Sequence, residues 1–123
     1  SEKKFDMALP ASSNSSSSSD SKPFNIKVTG DNAVYYEDQS GKKFNMGPAT
    51  DFKLKPGQQG YYEERDLTEL VTRLKSLNND PNNPKPLILT ADPASKHQRV
   101  MDVMSALTQA DIKAVAVKCE ANN

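Results

Sequence analysis

The sequence predicts a small α+β domain, in which a mixed sheet of about four to five strands carries two helices on one face and follows a disordered tether. Three observations predict this class. Residues 11–22 (ASSNSSSSSDSK) are nearly all serine and too polar to fold. Short alternating or continuous apolar runs, which are typical of strands, follow from Phe24 onward. Two later segments repeat apolar residues at helical spacing.

The composition limits the possible functions. About a hundred of the 123 residues follow the serine tract, which is enough for one domain with a modest core. Sixteen basic and sixteen acidic residues cancel, so no overall field favours nucleic acid. No run of about 18 apolar residues exists that could span a membrane. Cys119 is the single cysteine, so the fold does not depend on an internal disulfide.

The chain is predicted to divide into a disordered linker, residues 1–23, and a domain, residues 24–123. The serine tract lacks the apolar surface that would offset the entropy of ordering, so we expect a flexible tether. A short apolar segment containing a proline, Phe5–Ser12, precedes the tract. Because the chain begins with Ser rather than Met, we expect an excised fragment, which leaves room for a membrane anchor upstream.

The first half of the domain is predicted to be rich in strands. Residues 24–28 alternate between apolar and polar, as in a half-buried strand. Gly30–Asn32 supply a turn and Ala33–Tyr36 the returning strand of a hairpin. Lys43–Met46 form a possible short strand.

The segment 38–62 interrupts this pattern. Within it, Gly47–Gly60 is interpreted as a long loop, with one possible strand at Phe52–Leu54. Loops of this length are uncommon unless they are functional, so this one is a candidate for partner contacts.

The first helix is predicted to begin after Asp66, with Asp66 as N-cap and Glu69 as its capping-box partner. It ends at residues 78–81 (NNDP), where proline forbids continuation. Its apolar stripe consists of Leu67, Leu70, Val71, Leu74 and Leu77.

The second half is predicted to be a crossover unit. Residues 86–91 form a strand covered on both faces or nearly so, residues 95–110 a helix, and residues 112–119 a final strand parallel to the first. No element follows the final strand, so we expect an open edge that binds a second copy or a partner. The residues of this predicted edge are Ala114, Val115, Ala116, Val117 and Lys118.

No set of residues supports catalysis, so the sequence predicts a binding or coupling module rather than an enzyme, with no cofactor and no metal. The motifs GxGxxG, GxxxxGK[ST] and GxSxG are absent. His97 is the only histidine, and no ligand spacing links it to Cys119. Asp92 ends the apolar strand ahead of proline and is interpreted as a structural turn residue, or as a cap of the second helix.

The block Leu87–Val117 resembles the C-terminal half of the periplasmic domain of the ExbD/TolR family of biopolymer transport proteins. In that family an apolar strand ends in alanine-aspartate, here Ala91 and Asp92, and a helix with a V-M-x-V-M-like stripe follows, here Val100–Met104. The linker segment Leu9, Pro10, Ala11 and Ser12 resembles the LPAS-type motif that follows the family's transmembrane helix. The segment 38–62 departs from the family, where a short turn usually leads into the first helix.

The resemblance implies a subunit of an inner-membrane motor that is coupled to the proton motive force. Such a subunit crosses the membrane once, through a helix that bears a proton-carrying aspartate and contacts an ExbB-like subunit; that helix is absent from this sequence. Its periplasmic domain forms a homodimer and contacts a TonB-like partner to energise outer-membrane transport. In TolR-like members it instead serves envelope integrity and binds peptidoglycan. The LPAS-like segment favours the ExbD branch.

Two hypotheses follow for the site residues. The first is that Ala114–Lys118 accepts a strand from a second copy or from the partner, through backbone hydrogen bonds. The second is that Leu9–Ser12 is a retractable latch that docks on the domain or on the motor channel until the system is active.

Two other classes of function compete with this interpretation. A cell-wall binding module would use the loop Gly47–Gly60 as its cleft. An enzyme accessory domain would bind a small ligand through Tyr61, Tyr62 and Asp92.

Overall fold

The computed structural model describes residues 3–7, 22–77 and 86–119, and in this part of the chain a six-stranded mixed sheet is packed against helices. The strands are β1 (Lys3–Met7), β2 (Phe24–Val28), β3 (Val34–Glu37), β4 (Lys43–Gly47), β5 (Leu87–Ala91) and β6 (Val115–Cys119). The helices are α1 (Tyr61–Arg65), α2 (Thr68–Leu77) and α3 (His97–Gln109). The strand order is β1-β6-β5-β2-β3-β4. The predicted α+β class is confirmed.

The apolar pattern of the strands decides which face of the sheet is covered. Strand β5 is parallel to both β2 and β6, as predicted for a crossover, and the other strand pairs are antiparallel. Alternate residues of β2, such as Ile26, are buried with their cross-strand neighbours Leu89 and Tyr36. Helices α2 and α3 pack their apolar stripes on this face, with Leu70 and Leu107 fully buried. The core therefore lies between one face of the sheet and the two long helices.

Residues 38–66, which contain the inserted segment 38–62, differ from their prediction in three places. Residues 61–65 form the short helix α1, which was not predicted and which carries Tyr61 and Tyr62. Asp66 caps the C-terminus of α1 in an extended conformation, and α2 begins two residues later, so its predicted role as N-cap is wrong. The predicted strand at residues 52–54 does not form, because Phe52 has φ 63°, which lies outside the β region.

Strand β1 was not predicted, since it lies inside the segment interpreted as a linker. It pairs antiparallel with β6, from Lys3 opposite Cys119 to Met7 opposite Val115. The expectation that the final strand leaves its outer edge open is therefore wrong: β1 covers that edge. Ala114 precedes β6 and is exposed. The LPAS-like segment, residues 9–12, lies outside the described residues.

Candidate functional site: the two edges of the sheet

The edge formed by β6 offers its backbone rather than its apolar side chains. Val115 and Val117 are almost fully buried in the core, so a partner at the edge cannot reach them. Ala116 and Lys118 lie on the opposite face, the helix-free face, and Lys118 is exposed. Of the predicted site residues, these two and the exposed Ala114 are the ones whose side chains a bound partner could contact.

The connection between β1 and β2 is longer than their positions require. Met7 ends β1 opposite the first residue of β6, and Phe24 begins β2 at the same end of the sheet. The two points are three strand spacings apart, or about 14 Å. The sixteen residues 8–23 could span roughly 50 Å if they were fully extended. The length of the connection therefore does not force β1 onto the β6 of its own chain.

At the opposite edge of the described sheet, β4 pairs with β3 alone. The Asp38 N–H donates to the Lys42 carbonyl at 2.9 Å, which sets the alternation of hydrogen bonds along this antiparallel pair. Two residues further on, Phe44 faces Tyr36 as the next hydrogen-bonded pair. It follows that the backbone N–H and C=O groups of Lys43 and Asn45 point away from β3.

Basic groups surround the edge formed by β4. The Arg73 guanidinium of α2 lies 3.9 Å from the centroid of the Phe44 ring and 5.5 Å from that of Tyr36. The Lys42 ammonium lies 5.2 Å from the Phe44 centroid, which is a cation–π distance. Lys43 is exposed on the strand itself.

A buried charged cluster, which the sequence analysis missed, fixes the end of β4. Arg99 of α3 is 0% exposed, and its Nε donates to the Asn32 carbonyl at 2.7 Å. Its Nη2 donates to the Pro48 carbonyl, just after β4, at 2.8 Å, and its Nη1 to Asp102 Oδ2 at 3.1 Å. The i,i+3 spacing of Arg99 and Asp102 is a sequence signal for a pair, but it does not indicate burial.

The same cluster holds the inserted segment against α3. Arg65 of α1 donates from Nε and Nη2 to the two carboxylate oxygens of Asp102, both at 2.7 Å. This hydrogen bonding raises the pKa of Arg65, against the opposing effect of its partial burial. The Arg65 guanidinium also lies 4.9 Å from the Phe52 centroid and 5.5 Å from that of Tyr61. Charge and aromatic contacts together bind the insertion to the domain.

The remaining candidate residues have local partners. Asp92 Oδ1 accepts the Ala94 N–H at 2.8 Å, and its carbonyl accepts the Ser95 N–H at 2.9 Å, so Asp92 closes a turn. The helix that follows has Lys96 as its N-cap, without a side-chain cap, and the Lys96 N–H donates to Asn32 Oδ1 at 2.7 Å. Among residues 22–77 and 86–118, no three histidine, cysteine or acidic side chains could hold a metal ion.

A six-stranded mixed sheet with helices on one face defines a small α+β domain. The family model of the biopolymer transport protein ExbD/TolR matches residues 1–122, and the chain belongs to this family. The match does not distinguish ExbD from TolR. Neither a curated protein nor a solved structure gives a significant match to the chain.

Membership in the family has consequences for function and location. Its members couple energy to biopolymer transport and lie in the inner membrane with periplasmic domains. They generally work with ExbB- or TolQ-like and TonB- or TolA-like proteins. None of the helices in the described ranges is long and apolar enough to cross a membrane.

Proposed function

We propose that this chain is the periplasmic domain of an ExbD-like motor subunit, coupled to the proton motive force, that dimerises and contacts a TonB-like protein to energise outer-membrane transport. In this proposal the contact is made by strand addition at the outer edge of β6, the predicted site Ala114–Lys118. The single observation that carries the proposal is the β1–β6 pair, in which this edge already holds an extended segment in full antiparallel register.

The long connection supports an exchange at this edge. Because residues 8–23 exceed the span they must cross, β1 can leave its own β6 without strain in the rest of the domain. The vacated edge can then receive β1 of a second copy, which gives a dimer, or an extended partner segment. The same backbone groups of β6 pair with the chain's own β1, with β1 of a second copy or with a partner segment, so these three pairings compete.

A register-specific disulfide tests whether this exchange is needed. Residue 3 faces residue 119, and opposed residues of a strand pair have Cα atoms about 4.5–5.5 Å apart, within the range of a disulfide. The Lys3→Cys variant should therefore form a disulfide with the natural Cys119 on mild oxidation. Lys4→Cys is the matched control, since residue 4 faces Lys118. Non-reducing electrophoresis separates a link within one chain from a link between two.

Partner binding is then measured on the locked and unlocked protein. On addition of a TonB-like linker peptide we expect amide shifts at residues 112–119 in the natural chain and in Lys4→Cys. Monomeric, oxidised Lys3→Cys should lose these shifts and regain them on reduction. Equal binding by oxidised and reduced Lys3→Cys, or no shifts at residues 112–119, would contradict the proposal.

The latch is a separate part of the proposal and concerns residues 9–12. We propose that this segment docks on the domain or on the motor channel in the resting state, as its resemblance to the LPAS-type motif suggests. The test uses the full-length protein in cells, with Leu9→Ala and Pro10→Ala. An altered transport rate supports the latch, whereas a rate unchanged from the natural protein rules it out.

The TolR-like alternative is distinguished by a different ligand. A pull-down of the chain on purified peptidoglycan measures it directly. Retention that Lys3→Cys oxidation leaves unchanged would assign cell-wall binding to a surface other than the β6 edge.

A further inference from the structure

The outer edge of β4 has the backbone geometry of a strand-binding site. Strand β4 follows β3 through a short turn and pairs with it from Lys43 opposite Glu37 to Gly47 opposite Val34. On its other side no strand of the described part of the chain pairs with it. The outward N–H and C=O groups of Lys43 and Asn45 are therefore free to form a ladder with one more strand. The side chains of Lys43 and Asn45 are both exposed, so the edge is accessible to an added strand.

The charge at this edge selects among possible strands. Lys42, Lys43 and Arg73 have no carboxylate partner at ion-pair distance among the residues that the structure describes, whereas Lys27 pairs with Glu37 at 3.0 Å. The nearby carboxylates are already used, since Glu37 binds Lys27 and the other acidic residue of the hairpin is bound within its own turn.

That second carboxylate belongs to Asp38, which accepts hydrogen bonds within its own turn. Its Oδ1 accepts the Ser40 hydroxyl at 2.7 Å, the Ser40 N–H at 2.9 Å and the Lys42 N–H at 3.0 Å. The hydrogen bond from the Ser40 hydroxyl is the main cause of a lowered pKa of Asp38. Three donors from its own turn hold this carboxylate, whose negative charge acts on Lys42. Among the residues that the structure describes, Asp38 forms no ion pair with Lys43 or Arg73.

We infer that the outer edge of β4 binds an extended acidic peptide segment by strand addition, at a site separate from the β6 edge. An added strand would place alternate side chains on the two faces of the sheet. On one face these side chains meet Lys43, and on the other they meet Arg73, which stacks on Phe44. An acidic residue therefore finds a basic partner on either face.

The same charges disfavour a second copy of this chain as the occupant. Two β4 strands side by side would bring like-charged lysines together, and exposed lysine on an edge ordinarily prevents such self-pairing. The outward backbone groups of β4 can pair with a strand, and the basic residues around them repel a basic one. An acidic strand is therefore the matching ligand. This inference does not depend on the proposed function, because it concerns the opposite edge of the sheet.

The probe is a blocked ten-residue peptide that alternates glutamate and threonine, titrated into the isotope-labelled 123-residue chain. We expect saturable amide shifts centred on residues 43–47, and none from a peptide that alternates lysine and threonine. Asn45→Pro removes an outward N–H and should weaken binding about tenfold, because one or two backbone hydrogen bonds are lost. Lys43→Glu should weaken it by about fivefold. The matched control is Lys53→Glu, an exposed charge reversal in the inserted loop, which should bind like the natural chain.

The outcomes separate strand addition from simple charge attraction. Circular dichroism and thermal melts first establish that the variants fold. If Asn45→Pro does not fold, Lys43→Glu alone is compared with the control. The inference is overturned if the acidic peptide produces no shifts at residues 43–47, or if it shifts residues 115–119 instead. It is also overturned if Lys53→Glu weakens binding as much as Lys43→Glu, since the peptide would then respond only to the net charge.

Discussion

The two outer strands of the sheet, β1 and β4, are attached to the domain in different ways. Strand β4 is joined to its neighbour by a short turn, and its far end is fixed by the hydrogen bond from buried Arg99 to the Pro48 carbonyl. Strand β1 is joined through sixteen residues that greatly exceed the required span. We therefore propose that the β4 edge is extended by another strand, whereas the strand on the β6 edge is replaced. A coupling domain gains from this difference, because one contact can exchange while the frame around it stays fixed.

The largest expected effect comes from breaking the charged cluster that fixes β4. Asp102→Ala removes the carboxylate shared by Arg65 and Arg99 and leaves the fully buried Arg99 without it. The free energy of unfolding should fall by about 3–5 kcal/mol, as when one partner of a buried pair is removed. Urea unfolding measures it.

The control for this variant is Lys53→Ala, which breaks an exposed ion pair with Asp51 and should change the free energy of unfolding by less than about 0.5 kcal/mol. A loss below about 1 kcal/mol in Asp102→Ala would mean that the cluster does not fix the β4 end.

A smaller effect is expected from overpacking the same place. A Cβ added at Gly47 would lie 2.7 Å from Leu67 Cδ2 and 2.8 Å from Arg99 Nη2. Gly47→Ala should therefore lower the free energy of unfolding by about 1–3 kcal/mol. Amide exchange should accelerate in β4 more than in β6, and uniform acceleration across the sheet would argue against a local role.

The aromatic residues beneath the β4 edge give a pH dependence. Burial raises the pKa of Tyr36 to about 12, with the Arg73 guanidinium acting in the opposite direction. An unfolded tyrosine titrates near pH 10, so the folded state gains stability below that pH and loses it as the pH rises from about 10 to about 12. Tyr36→Phe should be less sensitive to alkali in this window. Thermal melts of both proteins at pH 9 and pH 11 measure the difference.

The smallest effect is expected at the turn between β3 and β4. The pKa of Asp38 is lowered by hydrogen bonds from its own turn, so the stabilisation is present above the unfolded pKa and disappears as acid protonates the folded carboxylate. Asp38→Asn should flatten the acid limb of the stability curve slightly. An unchanged acid limb would show that these hydrogen bonds do not contribute to stability.

The central strands and the two long helices could be predicted because their signals are local. Residues 87–89 are continuously apolar and residues 24–28 alternate, and in both strands alternate residues are buried while those between them are half-buried. The α2 and α3 stripes follow the 3.6-residue period. The structure therefore agrees with the sequence wherever hydrophobic burial alone decides the conformation.

Two features depend on distant partners and could not be predicted. Strand β1 has charged residues at three of its five positions and pairs with β6 more than a hundred residues later, so no local pattern marks it. The burial of Arg99 was not predicted, because an arginine next to the apolar positions of a helix is ordinarily expected on the surface. Its burial depends on carbonyls from Asn32 and Pro48, which are brought to it by turns far away in sequence.

The central claim is that a partner strand at the β6 edge replaces β1. Amide hydrogen exchange of the 123-residue chain, with and without a saturating TonB-like linker peptide, tests it most directly. We expect residues 3–7 to lose protection when the peptide binds, while residues 115–119 stay protected by the new strand. Bound peptide with residues 3–7 still fully protected would contradict the account.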